Sequence, residues 1–206
     1  MKFHPRALSY EQLRIEAEIR LDEHHAERTP PVPVDDIVEF DLGIVLVPIE
    51  GLKSDIRVDA FLSSDLSQLF VDCDVMMYSP LRYRFSLAHE LAHYWLHRPL
   101  YQECAITSVA EWKAVQQAIG EFDYPRFESQ ANNFAGLFLV PGDPLRKAFR
   151  AECAKLQSAG IQAERVQHHP TRAYVVNSLA SQFEVSEQSM EIRLERDGLL
   201  SKVGGF

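Results

Sequence analysis

The sequence lacks the features that would assign it to several common classes. Its three cysteines, Cys73, Cys104 and Cys153, lie far apart and form no C-x-x-C pair. That pattern excludes a disulfide framework and fits a reducing compartment. Basic residues are in the minority, with 21 Lys and Arg against 30 Asp and Glu, for a formal net charge of -9. A nucleic-acid surface needs clustered positive charge, so no direct nucleic-acid binding is expected. No stretch approaches the ~18 apolar residues needed to span a bilayer. The N-terminal MKFHPRALSYEQLRIEAE also lacks the apolar core of a signal peptide. Internal repeats and low-complexity tracts are missing too. The expectation is a cytoplasmic protein with no membrane contact.

With 46% hydrophobic and 25% charged residues over 206 positions, the chain has enough apolar material for one core. Leu13, Ala17 and Leu21, with Ile15 and Ile19 beside them, predict an amphipathic helix from about Ser9 to Glu27, capped by Ser9. Thr29 to Pro33 forms an extended link, because proline fixes φ and biases the preceding residue away from helix. A short helix over Val34 to Asp41 is expected to end near Gly43.

Three stretches then read as strands: Ile44 to Pro48, Ile56 to Leu62 and Gln68 to Val75. Turns rich in Gly, Ser and Asp between them suggest a small antiparallel sheet. Gln68 to Val75 is a candidate edge strand along a cleft, where an extended substrate would add as a further strand; pairing only within its own sheet is the alternative. Cys73, in that stretch, reads as a small buried residue. From Leu81 the pattern turns helical: Arg82 to His97, Phe127 to Leu139, Leu145 to Leu156, Arg172 to Phe183 and Ser186 to Arg196, the last closed by Gly198. Gln157 to Thr171 is the expected flexible connection. Strands in the first half and helices in the second predict an α+β fold.

The segment RFSLAHELAHYWLH places H-E-x-x-H on a helix. Residues four apart share a helical face, so His89 and His93 can offer imidazole nitrogens to one zinc ion. Glu90 lies next to that face, in reach of a water that zinc would acidify to a pKa of roughly 7. A His- and Glu-bearing helix without metal is the alternative. Leu87, Ala88, Leu91, Ala92, Tyr94 and Trp95 would bury most of the helix, however, and an unpaired buried His-Glu-His face is costly.

A catalytic zinc site needs a third protein ligand. His97 lies ~12 Å from His89 by helix rise, so it cannot share the ion with His89 and His93. Leu96 and Pro99 stand where the long metzincin pattern has Gly and His, which excludes that subclass. A carboxylate from another helix remains. Glu128 opens ESQANNFAGLFLVP, and Asn132, one turn on, could orient a ligand from outside the coordination sphere. On spacing alone Glu128 is equally a carboxylate favoured by the dipole of its own helix, and other acids lie downstream.

These residues resemble the ImmA/IrrE metallopeptidases. That family's R-F-(S/T)-x-A-H-E-x-x-H is matched by Arg84, Phe85, Ser86, Ala88, His89, Glu90 and His93. Its E-x-x-A-N-x-F-A followed by proline is matched by Glu128, Ala131, Asn132, Phe134, Ala135 and Pro141. Its C-terminal V-S-x-x-x-(M)-x-x-R-L-x-x-x-G-L is matched by Val185, Ser186, Met190, Arg193, Leu194, Gly198 and Leu199, and Pro31 to Ile44 resembles its N-terminal pattern.

The resemblance implies His89, His93 and Glu128 as zinc ligands and Glu90 as general acid and base. It implies a small sheet on a zincin-like pair of active-site helices. The corresponding organisation is a single domain over 1–206, with N-terminal helices and sheet in 1–78, zinc-site helices in 79–141 and a helical C-terminal part in 142–206. It also implies a substrate, a helix-turn-helix repressor encoded nearby, whose loss derepresses a stress, defence or mobile-element operon. Some members carry a DNA-binding or sensor domain in the same chain. Neither is expected within these residues, so DNA contact is expected through the partner.

Other residues have weaker roles. A Cys104 thiolate could occupy zinc's open position and inhibit the enzyme; a part-buried structural cysteine is the alternative. His168, His169, Arg172, Tyr174 and Tyr101 are candidate oxyanion stabilisers, and sequence does not choose among them. Two further functions compete with the endopeptidase: a zinc-containing antirepressor that binds its partner without hydrolysis, and a zinc hydrolase of small molecules. The intact Glu90 favours catalysis, and the lack of a nucleotide- or sugar-binding pattern disfavours the last.

Overall fold

Ser9 starts the first helix, α1 (Tyr10–His24), through a reciprocal cap. Its hydroxyl accepts from the Gln12 backbone N–H, and the Gln12 side chain accepts from the Ser9 N–H. Leu13, Ala17 and Leu21 fall on one stripe and are buried, whereas Ile15 and Ile19 face solvent. The computed structural model describes residues 6–103, 111, 123–162 and 166–200.

After the proline link, α2 (Val34–Asp36) runs on as a π-helical turn over Ile37–Asp41. Gly43, at φ +65, then turns the chain into β1 (Val45–Ile49). Helix α3 (Leu52–Ile56), β2 (Ala60–Leu62), β3 (Gln68–Asp72) and α4 (Cys73–Tyr78) follow.

The sheet order is β1-β3-β2, with β1 parallel and β2 antiparallel to β3. This corrects the expectation of a wholly antiparallel sheet. The connection from β1 to β3 is long enough, through α3 and β2, to return the chain in the same direction. It also corrects the expectation of an edge strand over Gln68 to Val75. β3 is central, so both its sides are taken. The strand stops at Asp72, whose carboxylate accepts from the Val75 N–H to cap α4 and from the Lys53 N–H. Cys73 therefore opens a helix and is half-buried.

The rest is helical: α5 (Pro80–Leu96), α6 (Arg98–Glu103), α7 (Tyr124–Leu139), α8 (Gly142–Ser158), α9 (Thr171–Phe183) and α10 (Glu187–Arg196). The fold is α+β with a helical C-terminal part. No helix among the described residues is long and apolar enough to cross a membrane.

Three contacts hold α5 in place. Its buried face packs against α7, where Trp95 meets Phe134 and Phe138 at ring distances of 5.6 and 5.5 Å. Trp95 is thus a packing residue. β2 lies along another side of α5. Arg84, largely buried, donates to the carbonyls of Val32 and Glu184 and so ties α5 to the proline link and to the end of α9.

Ala88 and Ala92 on α5, and Ala131 and Ala135 on α7, are fully buried, and their small side chains suit a close approach of the two helices. Ala131→Leu should cost about 1–3 kcal/mol through overpacking. Thermal unfolding is the check, and an unchanged midpoint would mean the interface has room to spare.

Candidate metal centre

One helical turn sets His89 and His93 side by side on α5, and their Nε2 atoms stand 3.0 Å apart. Glu128, on α7, reaches across the helix interface. Its Oε2 is 3.2 Å from His89 Nε2, and its Oε1 is 3.9 Å from His93 Nε2. A tetrahedral ion with N and O ligands at ~2.0–2.1 Å spaces them ~3.3 Å apart. The observed triangle fits such an ion. Two imidazoles and a carboxylate also suit zinc better than a hard cation that wants six or more oxygens.

Helix α7 begins at Tyr124 and has no acidic residue in its first turn. Glu128 therefore sits beyond the reach of the N-terminal dipole, which falls off within that turn.

Glu90 offers a second carboxylate, with an oxygen within 4.8 Å of both histidines' ligand atoms. Of the two acids, Glu128 makes the close contacts to both Nε2 atoms. Glu90 is buried, and its Oε2 has no hydrogen-bond partner. Burial pushes its carboxyl up to about 8, with the Glu128 charge acting in the same direction, while the His89 charge and the Leu62 backbone N–H oppose it. Burial, aided by the charges of His89 and His97, also holds His93 well below the usual histidine range. For His89, burial acts downward but is outweighed by the Glu128 hydrogen bond and the charges of Glu90 and Glu128, so its pKa is raised. His89 and Glu128 retain some exposure, whereas His93 and Glu90 are sealed.

Asn132, one turn after Glu128, accepts at Oδ1 from His89 Nδ1–H over 3.0 Å. Behind His93 stand two residues to which sequence reasoning assigns no role here. His97 Nδ1 is 2.9 Å from His93 Nδ1, and His97 Nε2 is 2.9 Å from Gln130 Oε1. The available signal is the continued four-residue spacing His89-His93-His97. Phe127 stacks on both His93 and His97 at 4.2 Å.

The remaining sequence candidates are scattered. Tyr101 is buried with its ring 6.3 Å from that of His93. His168 and His169 are exposed just before α9. Glu191 and Glu195 hold the Arg172 guanidinium, and Tyr174 lies half-exposed along a groove with Lys155 and Leu156. Cys104 lies outside the described residues.

Residues 77–195 match the Peptidase_M78 family model, described as an IrrE N-terminal-like domain. The chain belongs to this family. The matched span takes in both α5 and α7, and so every residue of the cluster. Among solved structures, the fold is similar to that of a Mycobacterium tuberculosis transcriptional regulator, with a TM-score of 0.55 and 19% identity. That likeness covers 90% of this chain and 46% of the regulator, so this IrrE-like chain spans about half the regulator's length. No curated protein matches the chain.

Proposed function

We propose that this IrrE-like protein is a cytoplasmic, zinc-dependent endopeptidase that cleaves a helix-turn-helix repressor and so derepresses the genes under that repressor's control. The observation that carries the reading is Glu90. A metal held only for structure is satisfied by its ligands, yet a fourth ionisable group stands beside the three that converge, buried and with one oxygen unpartnered.

In this reading His89, His93 and Glu128 hold the ion. A bound zinc ion supplies Lewis-acid activation of water and polarises a peptide carbonyl. Glu90 takes the proton of the attacking water and delivers it to the departing amine. Asn132 keeps the His89 ring oriented.

A repressor substrate draws support from the ImmA/IrrE resemblance and from the structural neighbour's being a transcriptional regulator. The net charge of -9 also suits a basic, DNA-binding partner. The test incubates the purified protein with the helix-turn-helix repressor encoded beside it and follows cleavage by gel and mass spectrometry. Wild type should cut it at a defined bond, and Glu90→Gln should lower the rate by about 10²–10⁴. Inactivation of the repressor without cleavage, equally by both proteins, would replace this reading with that of a binding antirepressor.

A further inference from the structure

A backbone carbonyl can only accept a hydrogen bond, and that single fact sets every proton position in the chain of groups behind His93. Gln130 Nε2 donates to the Arg6 carbonyl over 2.7 Å, which orients the Gln130 amide and turns its Oε1 toward His97 Nε2, 2.9 Å away. An amide oxygen cannot donate, so His97 must carry its proton on Nε2. Neutral His97 then has a bare Nδ1. That nitrogen faces His93 Nδ1 at 2.9 Å, so His93 must supply the proton between them. Neutral His93 is left with a bare Nε2, the atom that faces His89 Nε2 and Glu128. His93, His97 and Gln130 are all more than 95% buried, which leaves bulk water little access to compete for these bonds.

We infer that His97 and Gln130 are positioning residues: anchored on the Arg6 carbonyl, they lock His93 in the tautomer whose Nε2 is free to bind a metal ion. The inference rests on the reading of His93 as a metal ligand. Groups that hold a ligand histidine's outer nitrogen in this way are worth about 10–100-fold in metal affinity. The arrangement joins three distant parts of the chain, the segment before α1, the end of α5 and the middle of α7, so metal affinity depends on how the N-terminal segment is seated.

Two measurements test it. In metal-free wild type, two-bond ¹H–¹⁵N correlation spectra should place the proton on Nδ1 of His93 and on Nε2 of His97. The opposite tautomers would overturn the inference. Zinc competition against a chromophoric chelator then compares variants of the full chain. His97→Phe keeps a ring against Phe127 but removes the acceptor, and should weaken zinc binding about 10–100-fold. Gln130→Leu should fall in the same range. His97→Gln, which restores an acceptor oxygen, should recover most of the loss. Wild-type affinity in both His97→Phe and Gln130→Leu would overturn the inference and leave the peptidase reading intact. Failure of wild type itself to bind zinc would overturn the peptidase reading, while the metal-free spectra would still decide the tautomers.

Discussion

Glu128→Ala should lower zinc affinity on the order of 10³-fold while leaving the fold nearly as stable as wild type. The sizes follow from what Glu128 touches. It supplies the only carboxylate in close contact with both His89 Nε2 and His93 Nε2 among the described residues, at 3.2 and 3.9 Å. Removing it leaves two imidazoles, and a four-coordinate zinc site whose total binding is ~10–16 kcal/mol loses a substantial share with one protein ligand. The side chain is partly exposed, and its helix does not need it for capping, so truncation leaves neither a cavity nor an orphaned cap. Were Glu128 only a favourable charge on α7, Ala would cost about 0.3–1 kcal/mol of stability and nothing in affinity. Chelator competition and thermal unfolding of the same preparation separate the two outcomes. Unchanged affinity would remove Glu128 from the ligand set.

Glu90→Gln should make the metal-free protein more stable, and increasingly so as pH rises. Burial raises the Glu90 carboxyl from 4.5 to about 8 in the folded state. Between these values the folded chain retains a proton that the unfolded chain has released, so this group's contribution to stability is fully present below about 4.5 and is lost as pH rises through 8. Each tenfold gain in proton affinity on folding corresponds to about 1.4 kcal/mol, so the full penalty at alkaline pH has an upper bound of roughly 5 kcal/mol. Glutamine has nearly the same shape and never ionises, so it escapes the penalty. The melting temperature of Glu90→Gln should exceed that of wild type most at pH 8–9, by about 2–4 °C per kcal/mol, and the gap should close toward pH 4.5. Both proteins share His93 and His97, and His89 is coupled to Glu90 by charge, so the difference reports Glu90 together with that coupling. A gap independent of pH would show that the carboxylate is not destabilised by its surroundings. The same substitution that stabilises the fold should slow cleavage by about 10²–10⁴, the trade expected where a buried charge is kept for chemistry.

Part of this site is legible in the sequence alone. His89, Glu90 and His93 lie within one helical turn, and helix geometry alone brings the two imidazoles together once the segment is helical. The Ser9 cap and the buried stripe of α1 were equally local and equally readable. Glu128 was not readable by spacing. Several acids competed for the role, and only the resemblance to a family singled it out. The sheet failed in a related way. Alternation marks a strand, but it carries no record of its partner's direction, so the parallel pairing of β1 with β3 and the central place of β3 were invisible.

Local sequence therefore dictates the candidate metal-site helix: which residues share its face and which of them offer a ligand atom or can carry a proton. The packing of α7 against α5 decided the rest. It brought Glu128 to the two Nε2 atoms, set Asn132 on His89, and placed Gln130 between His97 and the Arg6 carbonyl. His97 shows the division most plainly. Its distance along the helix excludes it from the ion, yet its function depends on a tautomer, and that tautomer is set by a residue on another helix and a carbonyl near the other end of the chain. Local periodicity reaches a turn or two of helix, whereas a buried hydrogen-bond chain is closed only by tertiary packing.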